Sequence, residues 1–199
     1  MPLDRPIAPR AFMTAVVDSG RLTTAGAGVS LPAAAGDFGG AFEPPSVDIV
    51  AEHPVFAIEP RQVVAGESAG SAKAVGWRYL VNKDGDVITA DVRLNPSGEH
   101  RVAEIATTSA VAEATMKAVE QAEEDPRVVA GNYELRLLGV RGLDLSTVWL
   151  KDKSGTDDYF IPIAPTLRVL TAGRSYSWDQ LRDQIQGQIK ARLDSKETA

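Results

Sequence analysis

The stretch 76-GWRYLVNKDGDVITADVRL-94 decides the fold. Asp84-Gly85 is a two-residue hairpin signal, because both turn positions of the favoured turn need positive φ. With the two arms folded about it, Val81 falls opposite Ile88, Tyr79 opposite Ala90 and Trp77 opposite Val92. These residues share one face. On the other face Arg78 meets Asp91 and Leu80 meets Thr89. A slip of one residue would turn every apolar side chain over. A register that gathers the apolar residues and also pairs opposite charges is therefore strongly specified.

Downstream, Asn95-Pro96-Ser97-Gly98 marks a turn. A helix is predicted from about Thr108 to Glu124, with apolar positions 111, 112, 115, 116, 119 and 122 on one stripe. Thr108 or Ser109 can cap it, and Asp125-Pro126 ends it. A strand follows in 132-NYELRLLGV-140, with Tyr133, Leu135 and Leu137 on one side. The next pair, 145-LSTVWLK-151 and 158-DYFIPIA-164, is joined by the polar loop DKSGTD. Both are apolar at nearly every residue, which predicts cover on two sides. Pro162 lacks a ladder donor and belongs at an edge or near a strand end. Ser177-Trp178-Asp179-Gln180 is a capping box that opens a last helix, with Leu181, Ile185, Ile189 and Leu193 as its stripe and Gly187 inside it. The sum is α+β: a mostly antiparallel sheet in the order β-β-α-β-β-β-α, one covering helix and a C-terminal amphipathic helix.

Upstream the signals are weaker. Residues 1–72 hold most of the prolines and read as a loop-rich N-terminal arm; residues 73–199 form the α+β core domain, C-terminal helix included. In the arm, Phe12, Met13, Val16 and Val17 suit a short helix stopped by Gly20. The segments VDIV and FAIEPRQVV suit short strands or extended arms, interrupted by Pro54 and Pro60.

Composition narrows the classes. The 199 residues suffice for one domain with a real core. A net charge of -6 and no basic run make nucleic acid a poor partner, because polyanion binding rests on Lys and Arg. With no cysteine there is no disulfide, thiolate metal site or Cys nucleophile. The apolar run from Ala11 to Val17 is short and broken by Thr14, unlike a signal peptide, and no stretch nears the roughly 20 apolar residues that span a bilayer. A soluble cytoplasmic protein, without membrane partner or cofactor, is expected.

Several motifs suggest chemistry. Gly66-Glu67-Ser68-Ala69-Gly70 resembles the nucleophile turn of the carboxylesterases among the α/β hydrolases. That family places the serine between a parallel strand and a long helix, and follows it with an acid and then a histidine. Here about one helical turn separates Ser68 from the Trp77 strand, and His100 is the only later histidine. The motif reads as a small-residue linker. In NKDGDVITAD, Asn82, Asp84 and Asp86 alternate like calcium ligands, but Val87 stands where a calcium loop needs glycine. Asp37-Phe38-Gly39 and Gly26-Ala27-Gly28 are fragments of kinase and dinucleotide motifs without their context. His53 and His100 lie beside Glu52 and Glu99, and solvated loop histidines are the simpler reading than a metal site. The acidic groups Glu120/Glu123/Glu124/Asp125 and Asp152/Asp157/Asp158 read as solvated surface.

The run 132-NYELRLLGVRGLDLSTVWLKDKSGTDDYFIPIAP-165 resembles a stretch in bacterial proteins of unassigned function. In those, a strand, a short break, an apolar strand ending Trp-Leu-Lys and a strand ending near Pro follow one another. The resemblance implies a folded domain over about 75–165 and carries no functional residue.

Two function classes remain. The first is a non-catalytic interaction or assembly domain that docks on a protein partner or a second copy of the chain through Trp178, Leu181, Ile185 and Ile189. It requires that stripe to be partly uncovered. The second is a small-ligand binder or enzyme with a pocket between sheet and helix, lined by Trp77, Tyr79, Met116, Trp149 and Tyr159. A cavity holding Arg78, Asp91, Glu134 or Arg136 would favour it.

Overall fold

The computed structural model describes residues 3–8, 48–83, 85–94, 100–105, 109–155 and 157–197. The short helix expected around Phe12 and the two tripeptide fragments lie outside them. The strands are β1 (Asp48–Ile58), β2 (Lys73–Lys83), β3 (Asp86–Leu94), β4 (His100–Ile105), β5 (Tyr133–Val140), β6 (Ser146–Asp152), β7 (Tyr159–Pro162) and β8 (Tyr176–Ser177). The helices are α1 (Pro60–Val64), α2 (Ala110–Glu124), α3 (Pro126–Ala130) and α4 (Trp178–Glu197). The eight strands form one sheet in the order β4-β3-β2-β1-β5-β6-β7-β8. Every neighbouring pair is antiparallel except β1 and β5, so the chain is α+β with a mixed, mostly antiparallel sheet.

The central hairpin has the register that the sequence dictates: Trp77 faces Val92, Arg78 Asp91, Tyr79 Ala90, Leu80 Thr89 and Val81 Ile88. Gly85 holds φ +94°, and the Asn82 carboxamide accepts its N–H at 3.2 Å. Both expected ribbons share this sheet.

The main difference lies upstream. Residues 48–58, grouped by sequence with the arm, form an inner strand that joins the two ribbons. β1 runs continuously through Pro54, which faces Trp77 on β2. The parallel ladder to β5 starts only at Val55, opposite Leu137. A proline is tolerated where its strand has a ladder on one side only. Where β1 and β5 part, the N-terminal segment enters: Asp4 N–H donates to the Tyr133 carbonyl and Leu135 N–H to the Asp4 carbonyl, each at 2.9 Å. Its flanks are tied by Arg5 to Glu123, by Lys153 to Asp4, and by Ala8 N–H to the Glu52 carboxylate.

Alternation along β5 sends neighbours to opposite faces. Leu135 and Leu137 pack with Ala118, Val119 and Ala122 of α2; Leu138 and Val140 pack with Leu181, Ile185 and Ile189 of α4. Two helices thus cover opposite faces, which is why Val148, Trp149 and Leu150 of β6, and the residues of β7, are apolar on both faces. The small residues of α2 let it lie close to the sheet. α4 starts as expected: Ser177 N–H donates to Gln180 Oε1 and Gln180 N–H to Ser177 Oγ, at 3.0 and 3.3 Å.

Candidate functional site

The site grows from an irregularity in β2. Opposite Val55 stands Gly76, but opposite Phe56 stands Ala74, so Val75 is an extra residue in the ladder. Such bulges bend a strand and re-aim its side chains. The bend brings β2 against β3: a Cβ on Gly76 would lie 2.0 Å from the Val92 carbonyl oxygen. Only glycine fits there.

Cross-strand partners share a face. On the α2 side of the sheet, His53, Val55 and Ala57 of β1 therefore stand with Arg78, Gly76 and Lys73 of β2, with Asp91 and Arg93 of β3, and with Leu137 and Gly139 of β5. Leu137 is covered by α2. At the far end of the same face, Ala57, Gly139 and Ser146 carry only small side chains. A groove of about 660 Å³ opens there. Its walls include Lys73, Arg78, Asp91, Arg93, Arg141, Val55, Val75 and Leu145, and none of its described lining residues belongs to a helix. That volume lies within the range of small-molecule sites.

The polar groups of the groove are unequal. Arg78 holds Asp91 through two bonds, Nε to Oδ1 at 2.7 Å and Nη2 to Oδ2 at 2.9 Å. Both side chains are largely withdrawn from solvent, and the two-pronged geometry fixes the guanidinium plane. Arg141 pairs with Glu59 at 2.8 Å, with both ends exposed. Lys73 and Arg93 are exposed and have no carboxylate partner among the described residues.

Behind Arg78, His53 is 2% exposed, and its Nδ1 has no hydrogen-bond partner among the described residues. Burial, with the charges of Arg5 and Arg78, lowers its pKa to about 4. It is a neutral imidazole inside the sheet, which corrects the solvated-loop expectation. His100 is also on a strand rather than in a loop.

The residues expected to line a pocket do not converge. Trp149 is 1% exposed in the α4-side core, stacked on Phe160 at 6.0 Å and edge-on to Phe56 at 5.4 Å. Tyr159 lies beside Tyr133 at 6.0 Å, under the Arg127 guanidinium. Tyr79 is fully buried with Val81, Ala90 and Val92, and Trp77 packs on that cluster. Burial, and secondarily the Glu52 charge, pushes the Tyr79 phenol pKa up. Met116 is half-buried on α2. Of the four polar residues tied to that reading, Arg78 and Asp91 line the groove, while Arg136 pairs with Glu134 at 2.6 Å and its guanidinium lies over Phe56.

Leu181, Ile185 and Ile189, expected as a docking stripe, are buried against the chain's own sheet and offer no surface. Trp178 is half-buried, and its Nε1 donates to the Glu67 carbonyl at 2.8 Å. Ser68 precedes a single 3-10 turn (Ala69–Ser71), not a long helix, and its carbonyl accepts from Ser71. Asp152 and Asp158 are structural rather than solvated. Asp152 accepts from Ser154 and Asp157; Asp158 accepts from Trp149 Nε1 at 2.9 Å and from Lys151 at 3.0 Å. Of the supposed calcium ligands, Asp84 lies outside the described residues. Among the described residues no group of three or more His, Asp or Glu is placed to hold a metal ion.

The groove was missed because its signal is the lack of side chains. Ala57, Gly76 and Gly139 are far apart in sequence and share a surface only through the β1–β2 and β1–β5 pairings.

The chain is thus an α+β protein with an open groove, lined in part by Lys73, Arg93 and Arg141, on one sheet face. No protein-family model, curated protein or solved structure matches this chain. The resemblance over residues 75–165 thus rests on the quoted residues alone. No helix among the described residues is long and apolar enough to cross a membrane.

Proposed function

We propose that this chain is a small-ligand-binding protein whose site is the groove between β1, β2, β3 and the β5–β6 turn. One observation carries the reading: about 660 Å³ of open space is bounded by the fixed Arg78–Asp91 pair and by apolar side chains of β1, β2 and the β5–β6 connection. Small-molecule sites combine apolar walls with placed polar groups, and both kinds of side chain line this groove. Binding rather than catalysis is proposed, since no nucleophile and base stand together at this face among the described residues.

The reading is tested by thermal shift of the full chain against a panel of small metabolites, alongside Ala57→Phe. That variant places a ring over the groove floor. Compounds that stabilise the parent chain should not stabilise the variant. Equal stabilisation of both proteins would put binding elsewhere.

A further inference from the structure

We infer, resting on that groove reading, that the occupant is a small amphipathic anion: one carboxylate or phosphate head on an apolar body. Lys73 and Arg93 carry the inference. Lys73 stands opposite Ala57 on β1, and Arg93 opposite Gly76 on β2, so both belong to the groove face. Neither has a carboxylate partner among the described residues, whereas Arg78 is neutralised by Asp91 and Arg141 by Glu59. The groove therefore holds an excess of positive charge on a chain whose net charge is -6. The rest of the surface repels anions on balance, and this face attracts them.

The apolar half of the ligand follows from the walls. The groove is also lined by Val55 of β1 and Val75 at the bulge of β2. An inorganic anion would leave those side chains in water, and a neutral hydrocarbon would leave both cations without a counter-charge. A molecule with both parts satisfies the groove. The largely buried Arg78–Asp91 pair bounds the groove at one edge. Because Lys73 and Arg93 are exposed, binding weakens as salt is raised.

The test uses four probes with one apolar body: octanoate, octyl phosphate, octanol and octylammonium. Each is titrated into the isotope-labelled full chain while backbone amide resonances are followed. Octanoate or octyl phosphate should give saturable shifts at Ala57, Lys73, Val75 and Gly139, and octylammonium should not. Whichever anion binds more tightly identifies the head group. The double variant Lys73→Gln/Arg93→Gln should weaken that binding about tenfold or more. Lys117→Gln/Lys190→Gln, the same charge change on helices α2 and α4, should leave it unaltered. Octanol binding as tightly as octanoate would overturn the anion inference and leave the groove standing. An unchanged affinity in the Lys73/Arg93 variant would do the same. Absence of shifts at the groove with all four probes would overturn the groove itself.

Discussion

His53 stands directly opposite Arg78 across the β1–β2 ladder, a neutral imidazole held beside a permanent cation. Protonating it in place would charge a ring withdrawn from water, and near the cations Arg5 and Arg78, so the folded state resists protonation until about pH 4. An unfolded chain binds that proton near pH 6.5. The folded pKa is depressed, so stability is undiminished above about 6.5 and lost as pH falls toward 4, by about 3 kcal/mol in total. Urea unfolding across this range should show the loss, and His53→Leu should lack its share of it. A parallel pH dependence in parent and variant would remove His53 from the account.

Asp91 is the only carboxylate lining the groove among the described residues, and it is buried with Arg78. Replacing it with Ala leaves a guanidinium largely out of water without its two-pronged partner. Destabilisation of about 3 kcal/mol is expected from denaturant midpoints. Asp91→Asn, which keeps one acceptor, should cost less.

The 2.0 Å clearance that a Cβ at Gly76 would have from the Val92 carbonyl makes Gly76→Ala costly, since a backbone atom rather than a flexible side chain blocks it. Strands β2 and β3 would have to separate at the groove wall. A loss of about 3 kcal/mol or more is expected, as a lowered Tm in calorimetry. A variant as stable as the parent would mean that the bulge at Val75 slides freely.

Gly187 is the opposite case. It sits exposed inside α4, and an added Cβ would meet no atom within 4 Å. Gly187→Ala should stabilise the fold by about 1 kcal/mol, read as a raised Tm. No gain would show that the helix already frays at that point.

The sequence by itself determined what is local. The Asp84-Gly85 hairpin, its Arg78–Asp91 pairing, the Ser177 capping box and the end of α2 at Asp125-Pro126 each depend on residues within a few turns of one another. Their chemistry is written in adjacent positions, and the structure repeats them. The tertiary structure alone decided where β1 goes. Pro54 and Pro60 made residues 48–72 read as an arm, yet pairing Val55 with Leu137 makes β1 the strand that joins two ribbons into one sheet. That contact rewards burial between segments far apart in the chain, which no local pattern encodes. Packing with Leu138, Val140, Trp149 and Phe160 turned Leu181, Ile185 and Ile189 from a docking stripe into core, and the β1–β5 pairing aligned Ala57 with Gly139 to leave a groove. A helix stripe shows which residues seek cover but not what covers them, and a cavity is made by small residues that become neighbours only once the sheet is assembled.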